Sequence, residues 1–324
     1  MDFSVGSFNL CKFSYQSDKE IKKDIKKIAE IIRESEFDIV ALQEVMTPGV
    51  LDRETEVITL NGPARGLLQE LGTQEWDSVW AQPKSEKTNT AEGYAVLWKK
   101  GRFRIATGMT KTERGLKKKS AWALKQFAPR IQDAYKEDKV LYAGRLARDP
   151  LYVRLEAIHS WFEVRLIDTH IMFGDNSTAN IEARQHEFHV LTDIYRSLSE
   201  KQYRSSRTSY TILLGDYNLC LGQSPEVPDH VPYYDRNKAV TQNIVTVQRQ
   251  ATSLKQHQKD DDPSRYANNY DHFSYDEIWF RDGHVIANCS RIDAVEFCNN
   301  NLEEYRRTVS DHVPVRLDVS LTGR

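Results

Sequence analysis

The sequence predicts an α/β protein in which two β-sheets pack as a sandwich. Strand-like segments outnumber helical ones, and the helical segments are few and lie far apart along the chain. A doubly wound parallel sheet needs a helix after nearly every strand, so this pattern favours two packed sheets instead. The 324 residues show no internal repeat and no low-complexity linker. We therefore expect a single domain spanning residues 1–324.

The first part of the chain predicts strands interrupted by two helices. Residues 3–9 form an apolar run that ends at Asn9, which is typical of a buried strand. Isoleucines at helical spacing, with lysines on the opposite face, predict a helix that is capped by Asp18 and ends near Ser35. The other elements expected here are strands at 38–42, 76–82, 93–99 and 102–107 and a short helix at 63–72.

The second part continues the same alternation with longer elements. Two strands are expected at 151–158 and 162–169, and a long helix from about Thr178 to Glu200. A mostly apolar run at 210–214 predicts another buried strand. The polar stretch 222–242 predicts a surface loop. The remaining strand-like segments are 244–248, 270–281 and 313–319.

Composition excludes several classes of protein. Hydrophobic residues make up 40% of the chain and charged residues 28%, which is ordinary for a globular protein. No apolar stretch approaches the roughly 20 residues that a membrane span requires, and the N-terminus has no pattern of a secretory signal. Cys11, Cys220, Cys289 and Cys298 show no CxxC spacing, which disfavours a zinc site. We expect a cytoplasmic protein with reduced thiols and no membrane partner.

Polar residues stand at or just beyond the ends of five strand-like runs. They are Asn9, Gln43-Glu44, Asp168-Thr169-His170, Gly215-Asp216-Tyr217-Asn218 and Ser310-Asp311-His312. Any one group is more simply a turn or a surface charge, since Gly-Asp after a strand is a common turn. Turns and surface charges do not account for all five together. The set predicts that distant segments converge on one functional site.

The residue types in this set suit the hydrolysis of a phosphate ester. Glu44, Asn9 and Asp311 offer the oxygen ligands that Mg²⁺ or Mn²⁺ prefers. His170 and His312 each have an acidic residue nearby in sequence. An imidazole that is oriented by a carboxylate can take a proton from an attacking water molecule.

Two further residues could act on that water molecule. Asp216 and Asn218 lie two residues apart, so in an extended segment both side chains face the same side. Together they could orient the water and bind a phosphoryl oxygen. A divalent ion and a second donor would stabilise the charge that develops on the phosphoryl oxygens.

Eight short motifs carry a resemblance over residues 8 to 315. They are FNL (8–10), ALQEV (41–45), EGYAVLW (92–98), GRLARDP with Arg148, DTH (168–170), LLGDYN (213–218), YDHF (270–273) or YDEI (275–278), and SDHVPV (310–315). In type and order they resemble the endonuclease/exonuclease/phosphatase superfamily. The resemblance implies the deoxyribonuclease I-like fold, a four-layer α/β sandwich with two central, mainly antiparallel sheets. It also implies a hydrolase that needs a divalent metal.

The resemblance assigns three groups of residues around the substrate. The implied metal ligands are Glu44, as the principal ligand, with Asn9 and Asp311. The residues implied to orient the nucleophile are Asp216 and Asn218. Those implied to contact substrate phosphates are Tyr94 and Arg148. The implied ion is Mg²⁺, with Mn²⁺ or Ca²⁺ as alternatives.

Two imidazoles complete the implied catalytic set. His312 would be the base or a phosphate ligand, supported by a carboxylate from residues 270–278. The chain offers two carboxylates for this role, Asp271 and Asp276, which are five residues apart and would face opposite sides of a straight strand. His170 would act on the leaving group or the phosphate, with Glu92 as its partner.

The motif pattern is most similar to the deoxyribonuclease I-like nucleases of that superfamily. The extended signature of inositol polyphosphate 5-phosphatases and the signal peptide of secreted sphingomyelinases are both missing from the sequence. We therefore expect a Mg²⁺-dependent endonuclease that hydrolyses phosphodiester bonds in DNA. The alternatives are a phosphatase or other phosphodiesterase acting on a phosphate ester that is not nucleic acid, and a catalytically silent binding module.

Residues 99–130 are the most polarised segment of a chain whose formal net charge is −2. They contain eleven Lys or Arg residues and one acidic residue, Glu113. The segment lies between Tyr94 and Arg148 and overlaps a basic insertion that we expect at about 108–150. A solvated or protein-binding helix is the simpler interpretation. The location between two implied substrate contacts favours a flap that faces the phosphate backbone.

Replacing Lys117, Lys118 and Lys119 by glutamine is expected to weaken DNA binding and to lower its dependence on salt. Each ammonium group that no longer neutralises a phosphate reduces the number of counterions that binding releases. The slope of log affinity against log salt should fall by about 1 for each such group removed. Fluorescence anisotropy at several salt concentrations measures both quantities, and unchanged binding would refute the flap.

Overall fold

The described part of the chain contains fifteen strands and a smaller number of helices. The computed structural model describes residues 2–13, 23–46, 49–51, 58–60, 62–81, 92–106, 146–148, 150–200, 207–223, 226–234, 241–257, 264–281 and 285–322. In chain order, the elements are β1 (Asp2–Phe13), α1 (Ile25–Glu34), β2 (Ile39–Met46), β3 (Gly49–Leu51), β4 (Ile58–Leu60), α2 (Gly62–Leu71), β5 (Trp76–Ala81), β6 (Glu92–Lys99), β7 (Phe103–Ile105), β8 (Leu151–Ala157), β9 (Phe162–His170), α3 (Thr178–Ser199), β10 (Thr208–Asp216), β11 (His230–Tyr234), β12 (Thr241–Val247), β13 (Asp271–Asp276), α4 (Ile278–Arg281), β14 (Val285–Arg291), a 3₁₀-helix (Ala294–Cys298), α5 (Leu302–Thr308) and β15 (Val315–Leu321).

Two large sheets contain most of these strands. The six-stranded sheet has the order β14-β15-β1-β2-β6-β5, and the seven-stranded sheet has the order β11-β12-β13-β10-β9-β8-β7. The pairs β1–β2 and β9–β10 are parallel, and the other pairs of described strands are antiparallel. The predicted sandwich of two mainly antiparallel sheets is therefore confirmed.

Apolar side chains on both faces of the sheets create four layers. In β2, Ile39 and Ala41 point between the sheets, whereas Val40 and Leu42 point outwards. Helices α1, α2 and α5 cover the outer face of the six-stranded sheet, and α3 covers that of the seven-stranded sheet. Strands that are buried on both sides read as continuous apolar runs, which is why the sequence revealed them.

Several predicted elements begin or end elsewhere. The first helix begins at Ile25, where the Asp24 side chain accepts a hydrogen bond of 3.0 Å from the Lys27 N–H. The proposed cap Asp18, and most of the insertion expected at 108–150, lie outside the described residues. The helices of the described ranges include none that is long and apolar enough to cross a membrane.

Two predictions in the second half are wrong. The surface loop expected at 222–242 contains strand β11 and the start of β12. The strand expected at 270–281 ends at Asp276 and is followed by the short helix α4. The sequence pattern also gave no indication of β14 or α5.

A buried cluster of charges ties α3 to the seven-stranded sheet. The Glu163 carboxylate is fully buried, and a nitrogen of Arg154 and a nitrogen of Arg165 each lie 2.6 Å from one of its oxygens. Arg165 also donates hydrogen bonds of 2.8 and 3.1 Å to the carbonyls of Leu198 and Ser199. A cation at the C-terminus of a helix is favourable, so the cluster fixes this end of α3.

Replacing Glu163 by glutamine is expected to lower the free energy of unfolding by about 3–5 kcal/mol, because two buried guanidinium groups lose the carboxylate they share. Asp318→Asn is the control, since the Asp318 carboxylate that pairs with Arg316 is 44% exposed and its loss should cost less than about 1 kcal/mol. Urea unfolding of both variants measures the difference. Equal effects of the two substitutions would contradict the proposed importance of the buried cluster.

Candidate active site

The carboxylate of Asp216 lies at the centre of the predicted site residues. One of its oxygens accepts a hydrogen bond of 2.9 Å from the Asn9 amide, and the other accepts one of 2.8 Å from the Asn218 N–H. The Nε2 atoms of His170 and His312 lie 3.7 and 3.6 Å from the oxygen that accepts the Asn9 hydrogen bond. The structure thus places Asp216 between two imidazoles.

The strand register brings Asp216 to this position. In the parallel pair β9–β10 it lies opposite His170, and in the antiparallel pair β10–β13 it lies opposite Asp271. Gly215 precedes it with a φ of +132°, and a Cβ at that position would lie 1.9 Å from the Thr169 carbonyl oxygen. Only glycine permits this close approach, which explains the Gly-Asp sequence.

Asn218 reaches the site by a different route from the one predicted. Strand β10 ends at Asp216, and Asn218 has a φ of +49°, so the segment is not extended. Its side-chain amide donates a hydrogen bond of 2.9 Å to the Ile171 carbonyl. Asn218 therefore links the end of β10 to the segment that follows His170.

His312 pairs with Asp271. Its Nδ1 lies 2.7 Å from a carboxylate oxygen of Asp271, which is fully buried. Asp276 is at the other end of β13, about 17 Å further along the strand. There its carboxylate accepts a hydrogen bond of 3.0 Å from the Ile278 N–H at the start of α4. Of the two candidates, only Asp271 lies beside His312.

His170 pairs with Glu92 on the opposite side of Asp216. Its Nδ1 lies 2.9 Å from a Glu92 oxygen, and Arg148 contacts the same carboxylate at 2.5 and 2.7 Å. Tyr94 is only 1% exposed, and its hydroxyl accepts a hydrogen bond of 3.1 Å from the His170 N–H. Contacts of Tyr94 and Arg148 with substrate phosphates stay predictions.

The charges around these groups shift their proton affinities. Burial lowers the pKa of His312, but the carboxylates of Asp271 and Asp216 outweigh it and raise the pKa well above its ordinary value. The pKa of His170 is also raised, because Glu92 and Asp216 act against burial. Burial raises the pKa of Asp216, although both imidazoles oppose it. The site favours two imidazolium ions around a carboxylate that binds protons readily.

Glu44 lies beside Asn9 on an irregular part of β2. The register of the β2–β6 pair shifts between Leu42 and Val45, and Glu44 has a φ of +55°. Its two oxygens accept hydrogen bonds of 3.1 Å from the Asn9 amide and 3.0 Å from the Lys12 N–H. Bulges of this kind redirect side chains and are common next to active sites.

The third predicted metal ligand, Asp311, directly precedes His312 and is half-buried. Burial lowers the pKa of the nearby Lys23 ammonium, and the charges of Asp311 and Glu44 oppose this effect. One cation therefore interacts electrostatically with both carboxylates. The oxygen donors of Asn9, Glu44 and Asp311 fit a hard divalent ion such as Mg²⁺.

A second group of potential ligands lies deeper. Asp216, Asp271 and His312 each bring one ligand atom within 4.8 Å of the others. This group was not predicted to bind the metal, and two of its members are already bonded to each other. Mg²⁺ keeps several water ligands, which the Glu44 carboxylate at 17% exposure permits better than the fully buried Asp271. The assignment of Asn9, Glu44 and Asp311 as the metal ligands stays a prediction.

The support beneath the site was not predicted. Glu187 of α3 is fully buried, and its carboxylate accepts hydrogen bonds of 3.0 Å from the Ala147 N–H and 3.1 Å from the Met172 N–H. Ala147 precedes Arg148, and Met172 follows His170 by two residues. One carboxylate thus fixes the main chain on both sides of the His170 pair.

The sequence does contain a signal for this support. Along α3, Arg184 and Glu187 fall at the same helical spacing as the buried Phe188, Leu191 and Leu198. A charged residue in an apolar stripe must be paired or hydrogen-bonded, because burying it otherwise is costly. The positions of Arg184 and Glu187 in this stripe therefore indicate that both side chains bond to buried groups, which here are main-chain groups near the site.

Comparison with solved structures shows the same fold in three proteins of low sequence identity. An endonuclease/exonuclease/phosphatase family protein from Bacteroides thetaiotaomicron has a TM-score of 0.54 at 13% identity, over 100% of this chain and 99% of that one. The human Nocturnin catalytic domain with bound sulfate has a TM-score of 0.51 at 15% identity, over 99% of this chain and 95% of that one. D. rerio TDP2 complexed with single-strand DNA product has a TM-score of 0.51 at 11% identity, over 98% of this chain and 99% of that one.

These likenesses define the chain as an α/β sandwich of the deoxyribonuclease I-like class. It has the fold of the endonuclease/exonuclease/phosphatase proteins, so the resemblance inferred from the eight motifs is confirmed at the level of the fold. No protein-family model matches the sequence, and comparison with curated proteins finds no sequence relative.

Replacing Asp271 by asparagine is expected to lower the pKa of His312, because the imidazolium loses its nearest carboxylate. The matched control is Asp276→Asn, which removes a carboxylate from the other end of the same strand. Nuclear magnetic resonance titration of the histidine ring protons in EDTA measures both variants. A pKa of His312 that responds to Asp276 and not to Asp271 would contradict the pairing.

Proposed function

We propose that this chain is a divalent-metal-dependent phosphodiesterase that acts as an endonuclease on DNA. Carboxylate, amide and imidazole groups from strands that are distant in sequence converge around Asp216, at the edge where the two sheets meet. Each group has a partner that orients it, as a catalytic site requires.

The metal would be held by Glu44, Asn9 and Asp311. When bound, Mg²⁺ supplies positive charge that stabilises the phosphoryl oxygens of the ester. The predicted alternatives, Mn²⁺ and Ca²⁺, favour the same oxygen ligands. The identity of the ion is part of the proposal.

Asp216 is the best placed group to take a proton from the attacking water. Burial raises the pKa of its carboxylate, which makes it a stronger base than a free aspartate. The hydrogen bonds from Asn9 and Asn218 hold the carboxylate in one orientation. The hydroxide formed attacks phosphorus, and the bond between phosphorus and the leaving oxygen breaks.

The two imidazolium groups act on the phosphate from either side of Asp216. His312, held by Asp271, donates a hydrogen bond to a non-bridging oxygen. His170, held by Glu92, gives its proton to the leaving oxygen. The carboxylates around His312 and His170 raise the pKa of both rings, which favours the protonated form that these roles require.

A DNA substrate is supported by charge and by one structural neighbour. The basic segment 99–130 would add sequence-independent affinity for a phosphate backbone. The TDP2 structure of the same fold was obtained with a single-strand DNA product. The cytoplasmic location stays a prediction.

Supercoiled plasmid incubated with the protein and Mg²⁺ is expected to become nicked, and EDTA should abolish the reaction. His170→Ala should lower the rate by about 10²- to 10⁴-fold, the usual contribution of a proton-transferring group. His189→Ala is the matched control, because His189 is exposed on α3 and should leave the rate unchanged. Agarose gels that separate supercoiled from nicked plasmid give the rates.

Two results would overturn the proposal in different ways. Hydrolysis of phosphomonoesters or phospholipids without cleavage of plasmid or single-stranded DNA would favour the alternative enzyme. Binding of Mg²⁺ and DNA without hydrolysis of any ester would favour a silent binding module.

A further inference from the structure

Phe173 lies in the segment that leaves the candidate site after His170, and it is 74% exposed. It follows His170 by three residues, a length of chain that spans at most about 11 Å. The Cα atoms of Phe173 and His170 therefore lie within about 11 Å of each other. A single exposed apolar residue is common on protein surfaces and proves nothing alone. Phe173 differs from such residues because buried side chains hydrogen-bond to the main chain on both sides of it.

Buried groups fix the main chain on both sides of Phe173. On the C-terminal side, Arg184 donates hydrogen bonds of 2.9 Å to the Gly174 carbonyl and 3.3 Å to the Asp175 carbonyl. The Arg184 side chain is only 2% exposed. A buried guanidinium is costly unless it is hydrogen-bonded, so its presence specifies the path of this segment.

On the N-terminal side, the fully buried Glu187 accepts the hydrogen bond from the Met172 N–H. Ile171 bonds to the reaction centre twice, since its N–H donates to the Asp216 carbonyl and its carbonyl accepts from the Asn218 amide, both at 2.9 Å. Residues 171 to 175 are thus anchored to the site and to α3, while the Phe173 side chain points into solvent.

The other exposed large apolar residue of the described chain provides a contrast. Trp161 is 42% exposed and precedes β9, so the length of that strand separates it from His170 by roughly 30 Å. Its ring packs edge-on against Phe162 and Tyr210, with centroids 5.7 and 6.2 Å apart. Contacts with Phe162 and Tyr210 account for the aromatic residue at Trp161, whereas most of the Phe173 side chain is exposed to solvent.

We propose that Phe173 is a stacking platform for the base next to the phosphate under attack. The inference rests on the proposed function and narrows its substrate. Aromatic rings bind nucleic acid by stacking on the face of a base, which tolerates any sequence. A base inside a duplex is already stacked on both faces. The enzyme should therefore favour single-stranded or locally unpaired DNA.

The first test compares variants of Phe173 on a single-stranded oligonucleotide and on the same sequence as a duplex. Phe173→Leu keeps an apolar side chain but loses the aromatic face. The loss of one base stack should raise the KM for single strands by roughly 5- to 100-fold. Phe173→Trp should restore it, and the KM for the duplex should change less. Trp161→Leu is the control and should leave the KM for both substrates unchanged.

A double-mutant cycle tests the contact itself. An abasic position, moved one nucleotide at a time along the oligonucleotide, should weaken cleavage by the wild-type enzyme at one distance from the cut. At that position Phe173→Leu should add no further loss, because the interaction is already gone. Additive losses at every position, or an unchanged KM in Phe173→Leu, would overturn the stacking role.

Binding without turnover separates this inference from the proposed function. Fluorescence of 2-aminopurine in an oligonucleotide, measured with the protein in EDTA, should report stacking next to Phe173 and should not do so in Phe173→Leu. If the wild-type protein cleaves DNA but shows no difference between these variants, the stacking role fails and the nuclease stands. If the wild-type protein cleaves no DNA under any condition, the nuclease fails and takes this inference with it.

Discussion

A hydrogen bond of 2.9 Å between the Asn9 amide and the Asp216 carboxylate joins the two sheets at the edge that carries the chemistry. A second bond of 2.6 Å, from Gln43 to Asp168, crosses the same interface nearby. All four side chains are buried, so each bond must be kept or leave a costly unsatisfied group. A sandwich held only by apolar contacts could slide, because such contacts have little direction. The polar bonds fix the register of one sheet against the other, and the site depends on that register.

The fixed register of the two sheets also determines which charges surround Asp216. Asp216 lies between two imidazoles, and each imidazole has its own outer carboxylate, Asp271 for His312 and Glu92 for His170. Buried charges arranged in this way add little stability, since the cost of removing them from water offsets their attraction. Their value lies in orientation and proton affinity. Removing one member leaves its neighbour charged and unpaired, so the residues act as a unit.

Much of the fold could be predicted because strands that are buried on both faces read as apolar runs, and the polar residues at their ends stand out. The pattern failed at β11, which was expected to be loop. That strand lies at an edge of its sheet and contains Pro232 and polar residues, which an edge strand tolerates and a central strand does not. The choice between Asp271 and Asp276 also could not be made from sequence. Both follow a tyrosine, and only the point at which β13 enters the sheet decides between them.

Buried charges also determine how α3 serves the site. At the C-terminus of α3, Arg165 bonds to the last carbonyls of the helix. In the N-terminal half of α3, Arg184 and Glu187 bond to the main chain around Phe173. The helix is therefore fixed to the sheet at one end and to the rim of the site at the other. A surface segment has few apolar residues with which to hold its own shape, and it would otherwise sample many conformations. Hydrogen bonds from a rigid helix remove that freedom, so the main chain at Phe173 keeps a constant position relative to Asp216.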